Sequence, residues 1–149
     1  MNAHVFDDSQ VTWRAIGDFQ HLHYQVLALD AENGIAEVLF KFAAGERIVL
    51  HRHLAHNNTF VVQGEHRLYR PDGSLKETRK TGTMTVSGPD TEPHSEGGGP
   101  DQDVIIKFTI LGKGDLYQLL DDQQNEIGKL SFQDLVALKQ EADAQTQTA

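Results

Sequence analysis

Short segments in which polar and apolar residues alternate, separated by turn residues, recur along most of this chain of 149 residues. Residues 35–42 show the pattern, because Ala36, Val38, Phe40 and Phe42 would share one face of a strand and are expected to face a core. Clusters of Asp, Asn, Pro and Gly separate such segments, for example at 30–34, 71–73 and 112–114. Many short strands joined by turns predict an all-β sandwich or barrel.

The strand pattern extends over most of the chain and ends in one helix. The predicted strands cover residues 11–16, 22–28, 35–42, 59–62, 66–70, 75–79, 83–86, 104–111, 115–120 and 127–130. A short C-terminal helix should begin at Ser131, because Ser131-x-x-Asp134 resembles a capping box. The apolar stripe by which this helix would lie on the barrel consists of Phe132, Leu135, Val136 and Leu138.

The composition excludes several classes of protein. The length and the hydrophobic content of 38% suit a single domain with a core. A formal net charge of −9 argues against nucleic acid and against an anionic membrane surface as partners. There is no cysteine, which excludes disulfides, thiolate metal sites and cysteine nucleophiles. No apolar run has the length of a signal peptide or a membrane span, and we therefore expect a cytoplasmic protein.

A histidine pair marks the candidate functional segment. His51 and His53 are separated by one residue and follow an apolar run, so on a strand both side chains point the same way. A turn at Gly45 precedes them, and a returning strand that ends at Gly64 follows. Two imidazoles on one face can share an ion, and the pair is therefore predicted to bind a divalent metal.

The same segment resembles the first motif of the cupin superfamily. The matching residues are Gly45, His51, His53 and Gly64. Where that motif has a glutamate ligand, this chain has Asn57, or Asn58 if the gap is one residue longer. The resemblance covers roughly residues 35–120 and implies a double-stranded β-helix, the cupin jelly roll. We expect a single cupin domain at residues 1–142 and a polar tail at residues 143–149.

A looser resemblance to the second cupin motif spans Gly82 to His94. Gly88 stands at the proline position, Asp90 at the glycine position, and His94 falls one residue late. In the superfamily the last histidine of this motif completes the metal site. The resemblance therefore implies that His51, His53 and His94 are the metal ligands.

Within the superfamily the chain resembles the small acetylacetone-cleaving dioxygenases. The shared features are the length, a three-histidine site without the usual glutamate, the stretch from Phe108 to Gly112, and an Asp121-Asp122 turn before a helix. The resemblance implies Fe(II), dioxygen, and a small diketone or related carbonyl or enol substrate. It assigns no catalytic side chain besides the ligands. The segment 82–94 is shorter than in that group, which leaves a different substrate open.

Three neutral imidazoles would leave the ion with its full +2 charge and with open coordination positions. A chelating enolate could occupy two of these positions, and Fe(II) could bring dioxygen alongside it. Zinc would instead give a polarised water and hydrolysis, or a purely structural site. Imidazole ligands suit iron, zinc, nickel and copper alike, so the ligand set does not choose the metal.

Other polar residues near the motifs have simpler expected roles. His56 is expected to face solvent, although it could also ligate the metal. Asn57 and Asn58 are expected to be turn residues, with a hydrogen bond to a metal-bound water as the alternative. Glu92 and Glu96 are expected to be solvated, although either could orient His94.

Two function classes stay open at this stage. The first is the metal-dependent oxygenase described above. The second is a non-enzymatic metal-binding cupin that senses a ligand, similar to the cupin modules of zinc-dependent anti-sigma factors. The sequence shows no attached regulatory domain, which favours the enzyme. A homodimer is expected, because the predicted strand at 12–16 would otherwise leave an exposed sheet edge.

The segment 87–103 is rich in glycine and proline and is predicted to lack regular structure. Loops of this length in compact domains are often functional, and this one contains His94. Gly97, Gly98 and Gly99 would then act as hinges of a gate over the metal. The alternative is a mobile loop that only carries the histidine.

Overall fold

The computed structural model describes residues 5–148, which form β-strands followed by one helix. The strands are β1 Leu22–Asp30, β2 Ile35–Phe42, β3 His51–His53, β4 His56–Gln63, β5 His66–Tyr69, β6 Leu75–Arg79, β7 Met84–Ser87, β8 Ser95–Gly98, β9 Val104–Leu111, β10 Asp115–Leu120 and β11 Glu126–Ser131. The helix α1 covers Phe132–Thr148. No helix within the described residues is long and apolar enough to cross a membrane.

The strands form one large sheet and two small ones. The five-stranded sheet has the order β1-β2-β9-β4-β7, and the three-stranded sheets have the orders β11-β10-β3 and β6-β5-β8. The neighbouring strands pair antiparallel, and β9 lies between β2 and β4 although it is distant in sequence. A bridge between His51 and His94 connects β3 to the segment before β8 and so links the two small sheets. The predicted double-stranded β-helix with a C-terminal helix is confirmed.

The hydrophobic core lies against the large sheet. Ala36, Val38, Phe40 and Phe42 of β2 are all buried, as their alternation predicts. Phe108 of β9 packs edge-on against Phe40, with ring centroids 5.0 Å apart. Burying a large apolar side chain stabilises the fold by about 1.5–3 kcal/mol. The core is therefore held by apolar packing, and we expect it to form without a metal ion.

The helix begins as the capping box predicts. The backbone N–H of Asp134 donates to Ser131 Oγ at 3.1 Å, and the backbone N–H of Ser131 donates to Asp134 Oδ2 at 2.8 Å. Phe132 and Leu135 are buried in the core. The helix continues to Thr148. The division into a domain at residues 1–142 and a polar tail at residues 143–149 stays a prediction.

Two expectations about extended segments are wrong. Residues 11–16 are not a strand, because a single bridge pairs Arg14 with Tyr24, and the N–H of Thr12 donates to the side chain of Gln25. The segment 87–103 is not wholly irregular, since it contains β8. The glycines in β8 explain the difference, because they permit close backbone packing that larger residues would prevent.

Two glycines are required by local geometry. A Cβ atom on Gly97 would lie 1.8 Å from the carbonyl oxygen of Glu46, a distance that backbone atoms cannot accommodate. Gly64 has a φ of +81°, and a Cβ there would lie 2.9 Å from the carbonyl oxygen of Asp103. Gly97 is buried and paired with Arg67 in the small sheet. The predicted hinge is therefore wrong at Gly97 and Gly98, which are paired residues of β8.

Candidate metal centre

Four buried polar side chains meet inside the barrel. His51 and His53 come from β3, where the alternation of the strand points both rings inward. His94 is held beside them because its N–H and C=O both pair with the backbone of His51, at 2.8 and 2.9 Å. Glu96 lies two residues further on, in β8, and is only 2% exposed. All four side chains are almost completely shielded from solvent.

The possible ligand atoms of these four side chains lie within 4.8 Å of one another. Oε2 of Glu96 is 2.7 Å from Nε2 of His51. The same oxygen is 3.7 Å from Nε2 of His53 and 3.6 Å from Nε2 of His94. Three imidazole nitrogens and one carboxylate oxygen thus converge on a small volume, and the group fits a divalent metal.

Contacts of the outward-facing nitrogens of His51 and His94 favour metal binding. Nδ1 of His51 lies 2.7 Å from the carbonyl oxygen of Val49, and only a protonated Nδ1 can donate to it. Nδ1 of His94 faces Asp90 Oδ2 at 3.4 Å. In a neutral ring with its proton on Nδ1, Nε2 carries a lone pair, and Nε2 of His94 is buried without a hydrogen-bond partner among the described residues. Because an unpaired buried nitrogen costs free energy, a metal ion here would satisfy it.

The ring of His53 is positioned by Asn57, which stands where the cupin motif has a glutamate. Nδ2 of Asn57 lies 2.8 Å from Nδ1 of His53. If the amide donates, the proton of His53 sits on Nε2. After a half-turn of the amide, Oδ1 accepts from Nδ1–H and Nε2 becomes free to bind metal. Asn57 lies in β4 and is buried, so the expectation of a turn at Asn57 and Asn58 is wrong.

Glu96 is held from behind by a fourth histidine. Nε2 of His66 donates to Oε1 of Glu96 at 2.7 Å, and the His66 side chain is fully buried. His66 therefore belongs to the inward face of β5, together with Leu68. Alternation along residues 66–70 separates His66 and Leu68 from Arg67 and Tyr69 but does not say which face points inward. In the structure His66 and Leu68 are the buried pair.

The charge of Glu96 follows from these contacts. Burial alone would raise the pKa of its carboxyl group, but the surrounding imidazoles hold that pKa well below its usual value. His51 and His66 lie within hydrogen-bonding distance of the carboxylate. The centre therefore contains an ionised carboxylate, which differs from the expected set of neutral ligands only.

An apolar cavity of about 50 Å³ adjoins the centre. His51, Glu96 and Tyr117 are among its lining residues, but the surface that it exposes is almost wholly apolar. Tyr117 stands opposite His53 in the β10–β3 pairing, and the two ring centroids are 5.1 Å apart. Burial, followed by the carboxylates of Glu96 and Asp90, raises the pKa of the Tyr117 phenol well above its usual value. The tyrosine is therefore a hydroxyl donor at neutral pH.

The structure brings together the three histidines that the motifs single out, and ligation by His51, His53 and His94 stays a prediction. His56 is exposed and lies outside the group, and Glu92 is exposed as expected. The expectation that Glu96 is solvated is wrong, because the segment around it is a strand. A signal was available in the strand alternation of His94 and Glu96, which places both side chains on one face.

Comparisons with known proteins identify the family. The family model described as the ChrR cupin-like domain matches residues 1–108. The chain belongs to this cupin-like family. No curated protein matches the sequence of this chain.

Several solved structures share the fold of this cupin. An RmlC-like cupin protein from Ralstonia eutropha superposes with a TM-score of 0.73 at 18% identity, covering 95% of this chain and 87% of that one. An acetylacetone dioxygenase from Acinetobacter johnsonii gives a TM-score of 0.64 at 14% identity, covering 92% and 89%. Rhodobacter sphaeroides SigE in complex with the anti-sigma ChrR gives a TM-score of 0.55 at 18% identity, covering 68% and 50%. At these identities the comparisons show a common fold.

Proposed function

We propose that this cupin is a metal-dependent oxygenase, a dioxygenase that cleaves a small diketone or a related carbonyl or enol compound. His51, His53 and His94 would hold Fe(II), and dioxygen would be the second substrate. The observation that carries the proposal is the apolar cavity that has His51 and Glu96 among its lining residues. In a structural metal site the protein fills every coordination position, and no adjoining cavity is required. A catalytic site keeps one coordination position open to substrate.

The residues around the ion would have distinct roles. Bound Fe(II) would supply a Lewis acid and a redox-active centre for dioxygen, while the electrons that reduce dioxygen would come from the substrate that is cleaved. Val49 and Asp90 orient His51 and His94 through Nδ1. The buried rings and the apolar wall exclude water from the site, which strengthens electrostatic interactions inside it.

Glu96 alters the electrostatics that the sequence suggested. With an ionised carboxylate beside the three imidazoles, a divalent ion would carry a local net charge of about +1 rather than +2. The site would then be a weaker Lewis acid, and it would hold a cation more tightly than imidazoles alone. The likeness to an acetylacetone dioxygenase supports the reaction class through the shared fold, while the carboxylate distinguishes this centre from a three-histidine site.

The test is oxygen uptake by protein loaded anaerobically with Fe(II) and then mixed with acetylacetone or a panel of small diketones and phenolic ketones. We expect uptake and carbon–carbon cleavage products with Fe(II), and none with Zn(II). A His53→Ala variant should be inactive, whereas the exposed control His56→Ala should behave as the parent protein. No uptake with any compound by fully Fe(II)-loaded protein would contradict the proposal.

A second function is supported by the family match itself. The family model bears the name of ChrR, and one structural neighbour is an anti-sigma ChrR bound to a sigma factor. A non-enzymatic cupin that senses a ligand would use the same metal centre and cavity. Stoichiometric zinc in the purified protein, combined with ligand binding and no oxygen uptake, would favour this second function.

A further inference from the structure

The segment that brings His94 to the metal centre departs from the second cupin motif at two neighbouring positions. Asp90 occupies the position of the motif glycine, and His94 falls one residue later than the motif histidine. The chain bends between them, at residues 91 and 92. Hydrogen bonds nevertheless hold the segment against β3 at both ends, through His94 at one end and Asp90 at the other. The side chain that replaces the glycine thus lies where the longer segment meets β3.

The pairing between this segment and β3 is regular at His51 and irregular at His53. His94 exchanges both backbone hydrogen bonds with His51. In a regular antiparallel ladder, the residue two positions before His94 would do the same with His53. Instead the N–H of Asp90 donates to the carbonyl oxygen of His53 at 2.8 Å, and the N–H of His53 donates to Oδ2 of Asp90 at 2.8 Å. The Asp90 side chain therefore takes the place of a backbone carbonyl, and the intervening residues bulge outwards.

The same carboxylate oxygen also faces the ring of His94. Oδ2 of Asp90 lies 3.4 Å from Nδ1 of His94, and the Asp90 side chain is only 23% exposed. The ring centroids of His53 and His94 are 4.9 Å apart. A carboxylate beside Nδ1 favours the ring form that has its proton on that nitrogen and a lone pair on Nε2, and this form binds metal through Nε2. A glycine at position 90 would provide neither contact.

We propose that Asp90 is a positioning residue of the metal centre, which uses one carboxylate oxygen to fix the backbone of His53 and the ring of His94. The backbone ladder fixes His94 relative to His51, and Asp90 fixes it relative to His53. Two segments that are distant in sequence are thereby held together by a side chain that the motif glycine lacks. This role goes beyond the proposed function, since an oxygenase and a ligand sensor would both need it.

The affinity for Zn(II) is measured by competition with a chromophoric chelator. We expect Asp90→Gly, which restores the motif residue, to lower the affinity about 10–100-fold, because both contacts are lost. Asp90→Asn keeps an acceptor oxygen of the same reach but removes the charge, and it should recover a large part of the lost affinity. The matched controls Glu92→Gly and Glu92→Gln change an exposed carboxylate in the same segment and should bind Zn(II) as the parent protein does.

The proton positions on the rings of the metal-free protein give a readout that a purely structural role would not change. Nuclear magnetic resonance correlations between ring protons and ring nitrogens, at mildly alkaline pH, show which nitrogen carries the proton. In Asp90→Gly the proton of His94 should move from Nδ1 towards Nε2, which lies 3.6 Å from Oε2 of Glu96. His51 is the internal control, because its Nδ1 donates to the carbonyl oxygen of Val49 and should keep its proton.

Unchanged Zn(II) affinity in Asp90→Gly would overturn the proposed role. A loss of affinity without a change in the ring form of His94 would also overturn it, because Asp90 would then only hold the segment in place. Should Asp90→Gly fail to fold, Asp90→Asn must by itself bind Zn(II) more weakly than Glu92→Gln, and equal affinities would contradict the role. Because neither measurement involves oxygen uptake, a failure of the proposed oxygenase would leave this result intact.

Discussion

His66 donates a hydrogen bond of 2.7 Å to Oε1 of Glu96, while Oε2 of the same carboxylate lies 2.7 Å from Nε2 of His51. The two oxygens therefore have different partners on opposite sides. His66 keeps Oε1 away from the group of imidazoles, so that Oε2 alone faces it. This arrangement would make Glu96 a ligand through a single oxygen.

Replacing His66 by Leu should lower the affinity for Zn(II) about 10–100-fold, because the buried Oε1 loses its donor and Glu96 is no longer oriented. The affinity is measured by competition with a chromophoric chelator. His66→Gln, which can still donate, should retain most of the affinity. In a Glu96→Gln background the His66→Leu change should have little further effect, and additive losses would show that the two residues act independently.

The variant His53→Ala should lose most of its bound metal while it keeps the far-ultraviolet circular dichroism of a β protein. The physical reason is that apolar side chains such as Phe40 and Phe108 hold the core together, although Phe108 also contacts the His53 ring at a centroid distance of 6.1 Å. Metal content is measured by elemental mass spectrometry. His56→Ala, an exposed histidine in β4, provides the control and should retain its metal. Full metal content in His53→Ala would show that the site is placed wrongly.

Asn57→Leu should weaken metal binding about 10–100-fold, because no oxygen remains to accept the Nδ1–H of His53 and keep Nε2 free. Calorimetric titration with Zn(II) measures the affinity, and it should show the opposite trend for Asn57→Asp, whose carboxylate can only accept. Equal affinities for both variants would mean that the amide does not set the tautomer of His53.

Gly97→Ala should destabilise the protein by about 3 kcal/mol or more, because the added Cβ would meet the carbonyl oxygen of Glu46 at 1.8 Å. Urea unfolding measures the loss. Gly114→Ala is the matched control, since a Cβ there has no atom within 4 Å. Metal binding should fall together with stability in Gly97→Ala, because Glu96 precedes it in β8. A stable Gly97→Ala protein with full metal content would revive the idea of a mobile glycine segment.

The homodimer expected from the sequence stays a prediction. The five-stranded sheet ends at β7, where Met84 and Val86 are exposed, and an uncovered edge of this kind tends to associate. Sedimentation velocity at about tens of micromolar should therefore give the mass of two chains. A single species of 16.6 kDa at that concentration would count against the dimer.

The sequence predicts the parts of this fold that depend on local patterns. Alternation in 35–42 identifies the face of β2 that enters the core, and Ser131 with Asp134 marks the start of the helix. The spacing of His51 and His53 predicts that their side chains point together, because that relation needs only one strand. These features depend only on residues that are neighbours in sequence, and the predictions made from them agree with the structure.

The parts that sequence reasoning misses depend on contacts between distant segments. The glycines of β8 resemble a flexible loop until the backbone of Glu46 is found against Gly97. Without that strand, Glu96 looks solvated rather than buried. Tyr117 enters the site only through the pairing of β10 with β3, a register that no local pattern contains.

The backbone pairing of His51 with His94 has a thermodynamic consequence for metal uptake. Because the two segments exchange both hydrogen bonds, the separation of these imidazoles is set when the barrel folds and not when an ion arrives. Little conformational entropy is then lost on metal binding, so the affinity reflects ligand chemistry more than chain ordering. The centre is preorganised: apo and metal-bound protein should share one backbone, and ion exchange should leave the fold unchanged.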